Sequence, residues 1–277
     1  MMKIYYENSQ GIQLDLLKSP YRLQTGNIFD YKWSYSHRAT VRKTTKIKGF
    51  SKDVEEKNLL LSILNYGKQA YYNAINFFAQ TTEFDVVNNS PGKLYVGDMY
   101  LRCFIIASEK AEWESGIELL DNEITLAIDY PFWIKEHPYY FKSSDVTSTK
   151  NKRYANKYAY RYANGLNNTY ITNEHYTECN FHMNIYGPCV KPSVYVGGHE
   201  YHVDAILEAD ERLEIDSAAE TVTKVMNSGN RVNMFHYRSF GSTVFQPIQT
   251  GKQNIFWDGK FDFDLILFEE RSEPKWS

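Results

Sequence analysis

Apolar positions in this chain recur mostly at every second residue, in short runs bounded by glycine, proline and Asx turns, so the pattern predicts strands before anything else. From Ile4 to Trp33 the runs are broken by Gly11, Pro20 and Gly26, as in a β-meander. The stretch PGKLYVGDMYLRCFIIASEKAEW, Pro91 to Trp113, reads as turn, strand, turn, strand and aromatic stop. Pro91-Gly92 and Gly97-Asp98 supply the turns, and Leu94 to Val96 and Met99 to Ile106 the strands. Within Glu118 to Ile128, Ile124, Leu126 and Ile128 alternate with Thr125 and Ala127, a half-buried strand. DYPFW, Asp129 to Trp133, then ends the first half. One segment has helical spacing. Ser51 can cap a helix whose first turns hold Asp53, Glu55 and Glu56, and apolar residues recur at Leu60, Ile63, Leu64, Tyr71, Ile75 and Phe78, with Gly67 a possible division into two helices. The run Phe84 to Val87 is placed after it.

Between meander and helix lies a basic segment, Ser36 to Phe50, with His37, Arg38, Arg42, Lys43, Lys46 and Lys48. Its alternation suits an edge strand, where lysines discourage unwanted pairing. The final third, Tyr170 to Phe268, is a succession of short strands punctuated by Gly187-Pro188, Gly197-Gly198, Ser228-Gly229-Asn230 and Asp258-Gly259, the signature of a sandwich or barrel. Near its end Phe261, Phe263, Leu265 and Leu267 alternate with Lys260, Asp262, Asp264 and Ile266, giving one face to a core. The pattern therefore predicts a mainly β protein with one α-helical segment, in two domains, 1–135 and 169–277. Residues 136–168, rich in Ser, Thr, Asn and Lys, form the connection.

That connection holds the one pattern that could pair stacking with charge: Tyr154, Tyr158, Tyr160 and Tyr162 interleave with Lys150, Lys152, Arg153, Lys157 and Arg161. Charge changes its meaning. With 31 basic against 34 acidic residues and a net charge of −3, the chain lacks the positive surplus of a phosphate-binding surface. The four tyrosines then read as an arm that packs on a neighbouring subunit or domain, and with Trp276 they are the candidate interface residues. Twenty-three tyrosines suit half-exposed sheets and protein interfaces, because a buried ring can keep its hydroxyl wet. Three cysteines, Cys103, Cys179 and Cys189, leave a thiol over in any pairing, which points to synthesis in a reducing cytoplasm. The opening MMKIYYENSQ has no apolar run, and no later run reaches the ~18–20 apolar residues of a membrane span, so neither a secretion leader nor membrane insertion is expected.

Candidate chemistry is thin. His175, Cys179, His182 and Cys189 have a superficially zinc-like spacing, but strand parity turns His182 away from Cys179, Phe181 and Met183, so no metal is assigned. The carboxylate pairs Asp262/Asp264 and Glu269/Glu270 belong to no acid–base motif and are read as solvated. Nucleophile elbow, P-loop, HExxH and dinucleotide fingerprints are absent from the sequence, so no catalytic residue and no cofactor is assigned and the chain is not read as an enzyme. Among Trp33, Trp113, Trp133, Trp257 and Trp276, Trp257 is the best placed to offer a sugar-stacking platform, against the ordinary expectation of core packing.

Three blocks carry a resemblance: YYENSQGIQLDLL with PYRLQTGNIFDYKW, Tyr5 to Trp33; Pro91 to Trp113 with DYPFW; and IYGPCVKPSVYVGGHEYHV, Ile185 to Val203, with the terminal ERSEPKW. In combination they make the chain resemble the distal tail protein (Dit) family of long-tailed phages that infect Gram-positive bacteria. The resemblance implies an N-terminal ring-forming (belt) domain, a galectin-like C-terminal β-sandwich, and a hexameric hub at the tail tip. The hub joins the tail tube protein to the tail-associated tip protein, sits in the virion beside other baseplate or receptor-binding proteins, and passes the genome without binding it specifically. Release from the host would then be by lysis. An alternative from a different class is a carbohydrate-binding module contributing to host cell-wall attachment; a cell-wall hydrolase has no motif behind it.

Overall fold

The computed structural model describes residues 3–39, 45–114, 116–143, 169–239 and 241–275. Antiparallel strands dominate them, with one α-helix, so the mainly β expectation with a single helical segment is met. The chain divides into two compact units, residues 1–135 with 271–277, and residues 136–270.

The first unit contains β1 (Ile4–Glu7), β2 (Gln13–Asp15), β3 (Tyr21–Gly26), β4 (Ser34–Ala39), β5 (Thr45–Ser51), β6 (Glu55–Leu64), α1 (Lys68–Val87), β7 (Gly92–Val96), β8 (Met99–Trp113), β9 (Leu119–Ile128) and the start of β10 (Trp133–Phe141). Its organiser is β8, fifteen residues long. The first part of β8 pairs with β7 from Gly92↔Cys103 to Val96↔Met99, across the predicted Gly97-Asp98 turn. The second part pairs with β9 from Phe104↔Ala127 to Trp113↔Leu120, with a register shift between Ile105 and Ala107. One strand thus serves β2-β1-β7 and β3-β6-β9, and the side chains of both sheets meet in one core with Leu61, Leu94, Met99, Cys103, Ile124 and Trp133. Such a register shift bends a strand and increases its twist, which lets it change partners.

Two expectations are corrected here. Ser51 does not cap a helix: Glu55–Leu64 is a strand, and the helix begins after Gly67 and runs unbroken through Val87, taking in the run Phe84 to Val87. The segment EEKNLLLSIL fits both periods. Period two wins because Lys57, Leu59, Leu61 and Ile63 all become buried when β6 is paired on both sides, by β3 and β9. Gly67 then takes a φ of +93°, a left-handed conformation that glycine adopts without cost and that separates strand from helix.

Helix α1 buries Tyr71, Ala74, Phe78, Thr81, Thr82 and Asp85, which splits the aromatic pairs Tyr71-Tyr72 and Phe77-Phe78: Tyr71 and Phe78 go in while Tyr72 and Phe77 stay out. Asp85 is fully buried and accepts from the hydroxyl of Tyr6 and from Ser9 through its backbone N–H (2.8 Å) and Oγ (2.6 Å), so the helix is tied to β1 and the turn after it. Burial and the Asp85 carboxylate together push the Tyr6 phenol well above its ordinary pKa. Gly92 has to be glycine, because any Cβ there would run into Tyr6 Oη and Asp85 Oδ2.

The second unit carries the rest of β10, then β11 (Tyr170–Asn173), β12 (Asn180–Tyr186), β13 (Cys189–Val190), β14 (Ser193–Val196), β15 (His199–His202), β16 (Ile206–Leu207), β17 (Arg212–Asp216), β18 (Thr221–Val225), β19 (Arg231–Asn233), β20 (Gly251–Phe256) and β21 (Phe263–Arg271, to Glu270). One layer has β12 flanked by β21 and β17, continuing to β18 and β19; the other runs β11-β20-β14-β15. Alternate residues of both layers, including Phe181, Met183, Ile215, Phe263 and Leu265 from the first and Ile171, Val194, Tyr201 and Ile255 from the second, fill a single core between them. That is a β-sandwich.

Candidate functional site

Tyr154, Tyr158, Tyr160, Tyr162 and Trp276, the interface residues expected from sequence, lie outside the described residues. Three other surfaces stand out, two on the first unit and one on the second.

On the first unit, β4 and β5 form a two-stranded sheet of their own, with a register shift between Ser36 and His37. The basic segment read as an edge strand is therefore the greater part of a hairpin. Almost every described side chain on it is exposed, including Tyr35, Ile47 and Phe50 beside His37, Arg38, Lys46 and Lys48. An isolated hairpin without a core is marginal in water, so this one gains by lying on something else. Its root is anchored. Lys52 Nζ donates to the carbonyl of Pro131 at 2.7 Å and lies 4.8, 5.4 and 5.5 Å from the ring centres of Phe132, Trp33 and Tyr31. Burial lowers the pKa of this lysine, against the opposing pull of Glu55.

From that root β6 extends ten residues, about 33 Å at a strand's rise. At its far end Leu64 pairs with Leu119, and Trp113 with Leu120, and there Leu64, Tyr66, Trp113, Ile117 and Leu119 are all exposed. Glu109, Glu112, Glu114 and Glu123 surround them, all exposed. The first unit therefore presents an aromatic, basic surface at one end of a sheet and an aromatic, acidic surface at the other.

On the second unit the outer face of β14, β15 and β20 forms a groove of about 490 Å³. Alternation places its residues: Val194, Val196, Tyr201 and Ile255 point inward, so Ser193, Tyr195, Glu200, His202 and Phe256 share the outer face. Ser193 Oγ and Tyr195 Oη both donate to Glu200 Oε1 at 2.8 Å, and these bonds hold the Glu200 carboxyl below the usual carboxylate range. His202 Nδ1 is 3.1 Å from the carbonyl of Pro192, which makes Nδ1 the protonated nitrogen. Phe256 is 65% exposed, whereas Trp257, the best-placed candidate platform, is 8% exposed, packs in the core as is ordinary for tryptophan, and donates from Nε1 to the carbonyl of Phe261. The exposed ring is thus the residue before the tryptophan. Trp133 is buried too, and Trp33 and Trp113 are exposed.

The remaining sequence candidates are occupied structurally. Cys179 is buried and its thiol lies 3.2 Å from Asn173 Oδ1; His182 bonds Asn184 and faces Asp216 from the opposite side of β12. No group of three His, Cys, Asp or Glu among the described residues is placed to hold a metal ion. Asp262 accepts from Lys142 and the Ser143 N–H, Asp264 from Tyr186, Glu269 lies 3.0 Å from His137, and Glu270 accepts from Asn180. Both carboxylate pairs are spent on cross-strand bonds rather than left in solvent. Burial pushes the Cys103 thiol up to about 12 and the Cys179 thiol up to about 12, so neither is a nucleophile at neutral pH.

No family model matches the sequence, and no curated protein matches it. Solved structures do match the fold. The crystal structure of the SPP1 Dit (gp 19.1) protein, described as a paradigm of the hub adsorption apparatus in phages infecting Gram-positive bacteria, superposes with a TM-score of 0.59 over 98% of this chain and 99% of that one, at 9% identity. Chains of the phage P2 baseplate in its activated conformation, with Ca and with Sr, each give a TM-score of 0.65 over 99% of this chain and 100% of theirs, at 13% identity. The chain thus shares its fold, nearly end to end, with a phage distal tail protein and a phage baseplate component.

Proposed function

We propose that this chain is the distal tail subunit of a long-tailed phage or phage-derived tail: a structural hub that closes a hexameric ring at the tail tip, between tail tube protein and tail-associated tip protein. The observation that carries the reading is the match of both units together to hub and baseplate chains, with almost nothing left over on either side. A likeness confined to a β-sandwich would say little, since that architecture hosts many functions.

The first unit supports the ring. A ring needs two different surfaces on each subunit that fit one another, a heterologous contact that closes under rotation. The basic hairpin and the acidic end of β6, β9 and β8 are opposite in charge, both rich in exposed aromatic or aliphatic side chains, and about 33 Å apart along the strands. In this reading the hairpin of one copy lies on the acidic end of the next. The other sides of the ring would seat the tube and tip proteins and further baseplate or receptor-binding proteins, the genome would pass through without specific binding, and the role is non-enzymatic.

Purified full-length chain, viewed by electron microscopy and weighed by sedimentation, is expected to form closed rings of six. The triple variant Arg38→Glu, Lys46→Glu, Lys48→Glu is expected to remain folded but fall to monomers, because like charges would then face each other. A chain that stays monomeric at its highest soluble concentration and is absent from purified tails would refute the reading; rings unaffected by the triple variant would refute the hairpin contact.

A further inference from the structure

We infer that the groove on the outer face of β14, β15 and β20 binds a neutral saccharide, one or two pyranose rings in length. The volume of about 490 Å³ lies in the range of small-ligand sites, and the groove combines the two recognition elements a sugar requires. Phe256 offers an exposed ring for the C–H face of a pyranose, and Tyr195 stands beside it with ring centres 6.0 Å apart and planes inclined by 57°, leaving the Phe256 face open rather than covered by a parallel stack. Glu200 offers a fixed acceptor for hydroxyls. Its two internal donors both bind Oε1, so the carboxylate is oriented and ionised while Oε2 keeps its lone pairs to accept sugar O–H groups, which make short, strong bonds to carboxylates. With Nδ1 committed to Pro192, His202 turns its Nε2 toward Asp204 at 3.6 Å and adds its ring to the same wall.

Charge separates a neutral ligand from an anionic one. The two lysines at the rim are both neutralised: Lys191 pairs with Asp204 at 2.9 Å and Lys260 with Asp258 at 3.3 Å. Glu200 carries an unneutralised negative charge at the centre, held ionised by its donors, so a phosphate or sulfate would be repelled where a sugar hydroxyl is welcomed. The groove's fixed geometry also favours binding, since Glu200 and Phe256 are held by strands rather than loops and little side-chain freedom is lost.

This inference stands independently of the hub reading, because the groove belongs to one copy of the second unit. One stacked ring and a few hydroxyl bonds in an open groove correspond to a Kd of about 0.1–10 mM. Lactose, cellobiose, maltose and chitobiose would each be titrated against the full-length chain by saturation-transfer NMR, with inorganic phosphate and glucose 6-phosphate as anionic probes. At least one neutral disaccharide is expected to bind saturably, and Phe256→Ala and Glu200→Gln each to weaken it at least tenfold with melting temperature and ring assembly unchanged. Absence of saturable binding by all four disaccharides overturns the inference. So does binding that survives both substitutions, or a preference for the anionic probes.

Discussion

Replacing Lys52 by methionine tests whether the hairpin is pre-positioned by its root. Methionine keeps most of the apolar stem but loses the ammonium that donates to Pro131 at 2.7 Å and sits 4.8–5.5 Å from three ring centres. A hydrogen bond from a charged donor contributes about 1.5–3 kcal/mol. Cation–π contacts contribute about 0.5–1 kcal/mol each at partly exposed sites, and less here because all three rings share one charge near the limit of range. Burial of the charge, visible in the lowered pKa of Lys52, opposes both. A net loss of about 2–3 kcal/mol raises the open population of the hairpin about 30- to 140-fold, at a factor of ten per 1.4 kcal/mol. Hydrogen exchange read by mass spectrometry should therefore accelerate by that factor in peptides covering β4 and β5, while β6 and β9 keep their protection. Exchange in the hairpin changing less than threefold, or accelerating equally through the whole first unit, would refute the reasoning: the cage would then either hold nothing or hold everything.

Two further outcomes follow from buried contacts. Tyr6→Phe removes a donor from the fully buried Asp85 and should cost about 1.5–3 kcal/mol, and Gly92→Ala should cost about 1–3 kcal/mol by overpacking the same hydroxyl; because both act on Tyr6 Oη, urea unfolding of the double variant should show less than the sum, and strict additivity would disprove the shared contact. His182 and Asp216 face each other at 3.9 Å; burial opposes charge on both, yet their mutual attraction outweighs it, raising the histidine's pKa with help from Asn184 and, with help from backbone N–H groups, lowering the aspartate's. The histidine's contribution is complete below its unfolded pKa of about 6.5 and is lost as pH rises through the raised value, while the aspartate's is complete above about 3.9 and is lost as pH falls through the lowered one. The pair is thus strongest between about pH 4 and 6.5, and the second unit's urea midpoint should fall from pH 6 to pH 8.5 by more in the wild type than in His182→Gln; equal falls would remove the pair from the account.

The parts legible from sequence are those where neighbours in sequence are neighbours in space. Gly97-Asp98 joins Val96 to Met99 directly, so the β7–β8 hairpin could be read from its turn. Glu55–Leu64 could not, because Leu60, Ile63 and Leu64 satisfy a helix as well as Leu59, Leu61 and Ile63 satisfy a strand; pairing with β3 and β9, remote in sequence, decides between them. The groove was harder still. Tyr195, Glu200 and Phe256 come from three strands, and while the alternation of Val194, Tyr195 and Val196 identifies an outward residue, only the sheet order brings Phe256 beside it. Trp257 carries the larger ring, but the alternation that buries Ile255 leaves Phe256 outside, and the bond from Trp257 Nε1 to Phe261 keeps the indole in the floor.

The double membership of β8 also orders events in time. Its pairing with β7 closes a short loop, Gly92 to Cys103, while β1 reaches β7 only by joining Ile4 to Val96, about ninety residues apart. Loop-closure entropy makes the second event about 2 kcal/mol less favourable as a first step, so the β7–β8 hairpin is the natural nucleus and β1 docks on a sheet edge already formed. On the ribosome the consequence is sharper: β1 can pair at once with β2, from Tyr5↔Asp15 to Glu7↔Gln13, but its other edge waits for β7. The aromatic strand, IYYE, spends that interval with one edge unpaired, and the speed of the β7–β8 turn sets how long that edge is exposed to misassociation.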